Sequence, residues 1–520
     1  MNNDELKLFF DEQENDRANL IFNDDVKKLI LELHSHFRNR KDQLLADRKR
    51  KQEHYDQGKY PEYPPKDSEA ASGDWKVNSL PEPLMQRKVE ICVPANDKSK
   101  ILSELQSDWG GSSVVIDFED TLVNTAANTL AGYESLVEAK NSFLSNPDKK
   151  YPMPMVRVRN LHGNDNFIKI GNSDVCGAIV DIAVMTYHFG QGLFEKGTNP
   201  CIYIPKIEES LESLWWNDVL GHVEKNLDWP NGSIKVTYLI ETLPSAYYCE
   251  EILYNSRSRA IGLNVGKWDR IFSDIKVFRN RKERIMPDRQ AISMSHYWMD
   301  NYARRVIKVC HSRGALAIGG LAPQVPDVSE KFKKLQIERF KEEKKYEFNI
   351  GHDGTWVMDS FFGKICLDIF KKSNQIENYL EYFSKYPDLI ASGAGKRTLK
   401  CLRYNIKICL KYISAYLQGN GTIVIKNKIE DLSSLEISRA QVWQWKKHEV
   451  ILDEGNVVDS ELINNILEEE YELIHREIQS SISGEHSASE QEEFLSRAKT
   501  ITSNLLNNEH LVPYFDWYKF

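Results

Sequence analysis

Apolar positions along the chain fall into two textures. Between about residues 88 and 375, short β-branched runs bounded by turn residues alternate with longer amphipathic stretches. Eight runs stand out: Val89–Pro94, Ser113–Glu119, Met155–Arg159, Cys201–Pro205, Ile234–Glu241, Ala260–Asn264, Ala315–Gly319 and Gly354–Met358. Short runs of this kind are what parallel strands covered on both faces require. The stretches between them, such as Glu208–Leu220 and Tyr297–Arg313, are long enough for crossover helices. Eight strand–helix units predict an α/β fold, a (β/α)8 barrel.

The flanks read differently. Asp25 to about Gln57 is a long charged helix with Leu29, Leu33, His36, Phe37 and Leu44 along one side. The breakers Tyr60-Pro61-Glu62-Tyr63-Pro64-Pro65 and Ser68–Gly73 follow it as a linker. Beyond about residue 375 the strand texture stops. Thr398–Leu417, Glu461–Ser480 and Ser489–Leu506 read as helices, and Ser433-x-x-Glu436 reads as a capping box opening the helix that carries Trp443 and Trp445. The expected division is 1–87, 88–375 and 376–520.

Composition narrows the function classes. The net charge of −9 is the wrong sign for general nucleic-acid binding, and the basic run Arg48–Lys51 is interleaved with acids. With a mean hydropathy of −0.52 and no long apolar stretch, no membrane span is expected. The N-terminus has no secretory pattern and the C-terminal Tyr518-Lys519-Phe520 is not a peroxisomal tripeptide, so the cytoplasm is the default, with import by a partner into peroxisomes or glyoxysomes open. Eight scattered cysteines without a C-x-x-C pair read as reduced buried thiols.

Candidate chemistry lies at the strand ends. Strand two runs into Asp117-Phe118-Glu119-Asp120, strand three carries Arg157 and Arg159, strand four ends at Lys206 and strand five at Glu241. Strand six leads through Gly266 to Trp268-Asp269, and strand eight carries Trp356 just after His352-Asp353. Barrel enzymes build their sites at the C-terminal ends of strands, so these charges are expected to converge. A salt-bridge network at the barrel mouth would look the same in sequence. No His/Cys cluster has zinc spacing; carboxylates suit Mg²⁺, and Glu241 with Asp269, ending neighbouring strands, is the pair expected to hold it.

In order and spacing, these segments resemble the malate synthase family, in its shorter type. The matching stretches are Asp117–Asp120, Arg157-Val158-Arg159, Ile240–Pro244, Gly262–Asp269, Met286-Pro287-Asp288-Arg289, Gly351–Trp356, Glu430-Asp431 and Glu436–Arg439. The resemblance implies a TIM barrel with an N-terminal helical clasp and a C-terminal all-helical plug that closes over the site. It implies Mg²⁺-dependent condensation of acetyl-CoA with glyoxylate, then hydrolysis to malate and CoA, by a monomer or small homo-oligomer. It implies Asp431 as catalytic base, Arg157 as the cation that stabilises enolate charge, and Glu241 and Asp269 as metal ligands. Trp356, Gly266, Trp268, Glu119 and Asp120 would surround glyoxylate; Thr121, Arg159, Ile429 and Ser360 would meet acetyl-CoA. Two alternatives stay open: Trp356 as ordinary barrel core, and Asp431 as a mere helix cap near Ser433.

The chain departs from the family pattern at Asn124-Thr125-Ala126, Asn160, Ser258-Arg259, Arg270, Asp359-Ser360 and Ile429. These changes spare the metal ligands, the arginine and the base. They touch the surroundings and the thioester pocket, so a relative with another acyl-CoA or 2-oxoacid, or a non-catalytic one, is the competing expectation.

Overall fold

The computed structural model describes residues 5–145, 152–371, 374–480 and 487–517; the C-terminal tripeptide Tyr518–Phe520, with its bearing on targeting, lies outside them. Eight parallel strands close into a barrel: β1 (Val89–Pro94), β2 (Ser113–Asp117), β3 (Met153–Arg157), β4 (Cys201–Ile204), β5 (Lys235–Ile240), β6 (Ala260–Val265), β7 (Leu316–Ala322) and β8 (Gly354–Val357). Each of the eight predicted runs supplies one strand. Hydrogen bonding between β7 and both β6 and β8, and between β8 and β1, completes the ring. Every residue of β2, β3, β4, β6 and β8 is buried, as double-sided cover demands.

The barrel interior is tied by one polar network among apolar layers. Glu90 on β1 accepts from Arg87 Nε (2.6 Å), Ser113 Oγ (2.8 Å) and Trp356 Nε1 (2.8 Å), and Arg87 Nη1 reaches Thr237 Oγ1 at 3.1 Å. Tyr203 bonds both Arg87 and Glu90. Strands of the barrel are thereby held through one carboxylate and one guanidinium, each satisfied, which is the condition for burying them. Below the strands, Asp353 accepts from Ala317 N (2.7 Å), His311 Nε2 (3.0 Å) and Gln375 N (2.6 Å). Burial pushes the neighbouring His352 down to about 4, so it is neutral near pH 7. His352 and Asp353 are thus framework before β8, not part of the mouth.

The chain divides into two compact units, Met1–Lys51 with Pro61–Gly266 and Asn301–Pro387, and Gln52–Tyr60 with Lys267–Asp300 and Asp388–Phe520. The first holds the barrel and most of the predicted long helix α1 (Asp24–Asp56). Arg48 of α1 makes a buried fork with Glu212, at 2.6 Å from Nε and from Nη2. It also holds a three-stranded sheet of Leu6–Leu8, Asn164–Ile170 and Ser173–Cys176 that the hydrophobic pattern does not predict. The second unit contains helices α2 (Trp268–Val277), α3 (Leu399–Leu417) and α4 (Leu432–Lys447), joined by Ser460–Ser480 and Ala488–Asn507 around a core that includes Leu402, Ile406, Leu410, Val442 and Trp445. A hairpin, Ile423–Ile425 with Lys428–Glu430, adds two strands to this helical unit. Its loop residues Lys426 and Asn427 both have positive φ, 50° and 59°, the backbone a two-residue turn of matching twist requires. All eight cysteines are buried, and none forms a disulfide.

One glycine contact tests the closure of the barrel. A Cβ on Gly262 would lie 2.3 Å from the Leu316 carbonyl oxygen of the adjacent strand, whereas one on Gly320 would meet only Val265 O at 3.5 Å. Gly262→Ala is expected to lower unfolding free energy by about 1–3 kcal/mol, with Gly320→Ala markedly milder, in urea titrations followed by fluorescence.

Candidate active site

Register builds the barrel mouth. Parallel pairing sets Asp117 across from Arg157 and Arg157 across from Tyr203. Asp117 grips Arg157 with both oxygens, at 2.5 Å to Nε and 2.5 Å to Nη2. Asp117 also caps the following turn, accepting from Glu119 N (3.0 Å), Thr121 N (3.2 Å) and Thr121 Oγ1 (2.6 Å). That turn swings Glu119 and Asp120 back to Arg157 Nη1, at 3.4 and 3.1 Å. Lys206, just past β4, brings its ammonium to Glu119 at 2.7 Å and Asp120 at 2.8 Å. Its backbone N–H donates to Glu241 Oε1 at 2.7 Å. Trp356 lies under this cluster in the barrel interior, with the Arg157 guanidinium 5.6 Å from its ring and Tyr203 edge-on at 4.6 Å. Trp356 therefore belongs to the barrel core and is also the floor on which Arg157 rests.

The cluster separates its charges. Burial works against the Arg157 cation, but Asp117, Asp120 and Glu119 outweigh it and hold the group charged. Burial raises Glu119 well above the usual carboxylate range, and Asp120 beside it adds to the rise. Burial alone would raise Asp120 too; Lys206 and Arg157 overcome it and bring Asp120 down to about 2. Two adjacent carboxyls with divergent proton affinities are a recurrent feature of reaction sites.

Gly266 gives Glu241 its room. A methyl there would lie 2.7 Å from Glu241 Cβ and 3.1 Å from Oε2. Glu241 is 1% exposed and Asp269, in the first turn of α2, is 7% exposed. Both are hard oxygen donors of the kind Mg²⁺ takes, one or two at a time. Among the described residues no group of three or more His, Cys, Asp or Glu is gathered for a metal, a number Mg²⁺ does not need from protein.

In the second unit, Asp431 ends the hairpin and is the N-cap of α4. Its Oδ1 accepts from Ser433 Oγ (2.6 Å) and Ser434 N (3.3 Å). The capping box expected at Ser433 and Glu436 is thus displaced: the cap is two residues earlier, and Glu436 instead accepts from Phe515 N at 2.7 Å. Ile429 pairs with Val424 in the hairpin leading to Asp431. The Met286–Arg289 segment is stitched along α4 and α3: Met286 N to Gln444 (2.9 Å), Met286 O from Trp445 (2.8 Å), Pro287 O from Gln441 (2.7 Å), and Asp288 to the Thr398 cap of α3 (2.9 Å to its N). Arg289 closes the run on Ser434 O (3.4 Å), with its guanidinium 4.9 Å from the Trp268 ring.

Arg159 does not join Arg157. Its nitrogens are taken by Asp181 (2.7 Å), Asp165 (2.8 Å), Tyr133 (2.9 Å) and Asn124 (3.3 Å). These bonds hold it beside the mouth, apart from the Arg157 cluster. Sequence reasoning brought Asp117 and Lys206 to the barrel mouth but gave neither a role. Each was visible as a charge at a strand end; the register that makes Asp117 the main partner of Arg157 was not.

Most of the departures from the family pattern acquire structural work. Thr125 caps the helix Ala126–Leu144 through Asn128 N. Asp359 caps Ser360–Ile369 through Phe361 N, leaving Ser360 as the first helical residue. Arg259 pairs with buried Glu224 at 2.6 Å, and Arg270 with Asp274 one turn on while donating to Leu389 O at 2.8 Å. Asn160 accepts from Gly163 N (2.8 Å) and extends to Glu119 at 3.3 Å. Nothing in the structure explains isoleucine at 429.

Asp117→Asn, which leaves Arg157 without its forked partner, is expected to cost about 3–5 kcal/mol of unfolding free energy. Thr121→Val, losing one hydroxyl bond, is expected to cost about 1 kcal/mol in the same denaturant series.

Comparison with known proteins follows this layout. The malate synthase N-terminal, TIM barrel and C-terminal domain families match residues 7–69, 153–386 and 396–510. Malate synthase A of Escherichia coli (strain K12) is 33% identical over 488 residues, covering 91% of each chain. Malate synthase of Myxococcus xanthus (strain DK1622) is 34% identical over 465 residues, 86% of this chain and 85% of the relative. The glyoxysomal malate synthase of Glycine max is 33% identical over 484 residues, 88% and 85%.

Proposed function

The chain belongs to the malate synthase family, and on that premise we propose that it condenses acetyl-CoA with glyoxylate and hydrolyses malyl-CoA to malate and CoA. The observation that carries the reading to particular atoms is Arg157, a buried guanidinium kept charged by Asp117 at the C-terminal end of a barrel strand.

Asp431 takes a proton from the acetyl methyl group, and the C–H electron pair moves into the thioester as an enolate. Arg157 offers fixed positive charge to the oxygen on which that pair accumulates. Because its partners already orient it, no rearrangement is needed as the charge develops. The enolate carbon attacks the aldehyde carbon of glyoxylate, the C–C bond forms, and the aldehyde oxygen receives a proton. Water then cleaves the thioester and CoA leaves as the thiol. Glu241 and Asp269 would hold Mg²⁺, which when bound polarises the aldehyde. We assign Gly266, Trp268, Glu119, Asp120 and Trp356 to glyoxylate. We assign Thr121, Arg159, Ile429 and Ser360 to acetyl-CoA.

The cap geometry of Asp431 supports its role as base. Ser433 and the Ser434 N–H hold one carboxylate oxygen in a fixed direction, and a helix N-terminus favours the ionised form that a base must have before reaction. The capping and the catalytic reading of this residue are therefore compatible. We place the protein in the cytoplasm, as a monomer or small homo-oligomer that binds neither nucleic acid nor membrane; no helix among the described residues is long and apolar enough to cross a bilayer. The division at 87/88 and 375/376 remains part of this proposal.

Asp431→Asn should lower kcat by about 10²–10⁴-fold while calorimetry still shows glyoxylate binding in the presence of Mg²⁺. Turnover at the wild-type rate in that variant removes Asp431 as the base.

A further inference from the structure

Lys206 has a backbone that its sequence position does not ask for. It follows β4 with φ at +51°, in the left-handed region that a lysine rarely adopts, and it is 3% exposed. Such backbone persists only where the surroundings over-determine it. Here the surroundings use two different groups of the residue. The left-handed turn aims the Lys206 N–H at Glu241 Oε1, 2.7 Å away. It also sends the ammonium to Glu119 Oε1 and Asp120 Oδ1, at 2.7 and 2.8 Å. Arg48 Nη2 donates to the Lys206 carbonyl at 3.0 Å and holds the same residue from the other side.

The charge count at the mouth shows what the ammonium does. Asp117, Glu119 and Asp120 all approach Arg157. With Arg157 as their only cation, both oxygens of Glu119 and of Asp120 would be directed at it and would offset more of the positive potential the reaction needs. Lys206 takes one oxygen of each acid, leaving the other oxygen of Glu119 and of Asp120 on Arg157 Nη1, at 3.4 and 3.1 Å, beside the Asp117 fork.

We infer that Lys206 is a positioning residue with two separable functions: its backbone N–H fixes the Glu241 carboxylate for the divalent cation, and its ammonium shares Glu119 and Asp120 with Arg157, taking one oxygen of each. The inference rests on the malate synthase reading above and names the residue that organises its barrel-side groups.

Two substitutions separate the functions. Lys206→Met keeps the N–H and the aliphatic stem but loses the charge. Lys206→Val also opposes the left-handed backbone, because a β-branched side chain is poorly tolerated there. Mn²⁺ binding followed by electron paramagnetic resonance reads the metal site without turnover. Steady-state kinetics with acetyl-CoA and glyoxylate read the chemistry. Lys206→Met should bind Mn²⁺ within about threefold of wild type while kcat falls about 100-fold. Lys206→Val should bind Mn²⁺ about 10–100-fold more weakly. Thermal unfolding identifies a variant that fails to fold; if Lys206→Val does, Lys206→Met still decides, because loss of Mn²⁺ binding in Lys206→Met overturns the assignment of the metal site to the N–H. Wild-type kcat in Lys206→Met overturns the role of the ammonium. Mn²⁺ affinity in folded Lys206→Val equal to wild type overturns the role of the N–H, and that result is readable even in protein that turns over no acetyl-CoA.

Discussion

Charge inside an apolar barrel must be paired, and this requirement organises the barrel unit from the mouth downwards. A lone ion in such surroundings costs several kcal/mol, and a pair is tolerated only when its remaining hydrogen-bonding capacity is also met. Arg157 meets that condition through the strand register, which sets Asp117 directly opposite, and through the turn that Asp117 itself caps. The layer beneath solves the same problem with Arg87 and Glu90, linked to strands by Ser113, Tyr203, Thr237 and Trp356. Trp356 joins the two layers, donating to Glu90 below and facing Arg157 above.

The same pairing produces function. An enzyme gains rate from interactions stronger in the transition state than in the ground state, and a fixed dipole or charge supplies them without reorganising. Arg157 cannot turn away, because Asp117 and Asp120 already hold its nitrogens. Asp431 is held by a comparable device in its own unit. A two-residue hairpin and a helix N-terminus meet at this residue, and the Met286–Arg289 segment binds the helix behind it at Ser434, Gln441, Gln444 and Trp445. That segment matched the family in sequence without a role; in the structure it is a brace for the helix that Asp431 caps.

The eight barrel strands were legible because strands buried on both faces read as near-continuous apolar runs, and their bounds differ by at most two residues from the runs, except at the C-terminal end of β7, which extends three further. The strands that escaped are of another kind. Asn164–Ile170 is mostly polar with alternating exposure, and Leu6–Leu8 and the hairpin strands are three residues each. Ser433 looked like a cap because Glu436 follows it at the right spacing, but Asp431, two residues earlier, is the stronger acceptor at a β-to-helix junction. Several departures from the family pattern are helix caps or ion-pair members: Thr125, Asp359, Arg259 and Arg270 each have a partner in the fold. Sequence shows that a residue is unusual; only the three-dimensional neighbours show that a cap or a counter-charge has been supplied with it. Arg159 illustrates the converse. It sits two residues from Arg157 in a shared motif, yet a different set of acids claims it.

If the charges at the barrel mouth do the work assigned to them, this chain joins acetyl-CoA to glyoxylate. A thiol assay for CoA release, run with and without glyoxylate and with and without Mg²⁺, tests that most directly. Release is predicted only when both are present, with malate accumulating in equal amount. Release independent of glyoxylate, or none from acetyl-CoA in protein that binds glyoxylate with Mg²⁺, would contradict it.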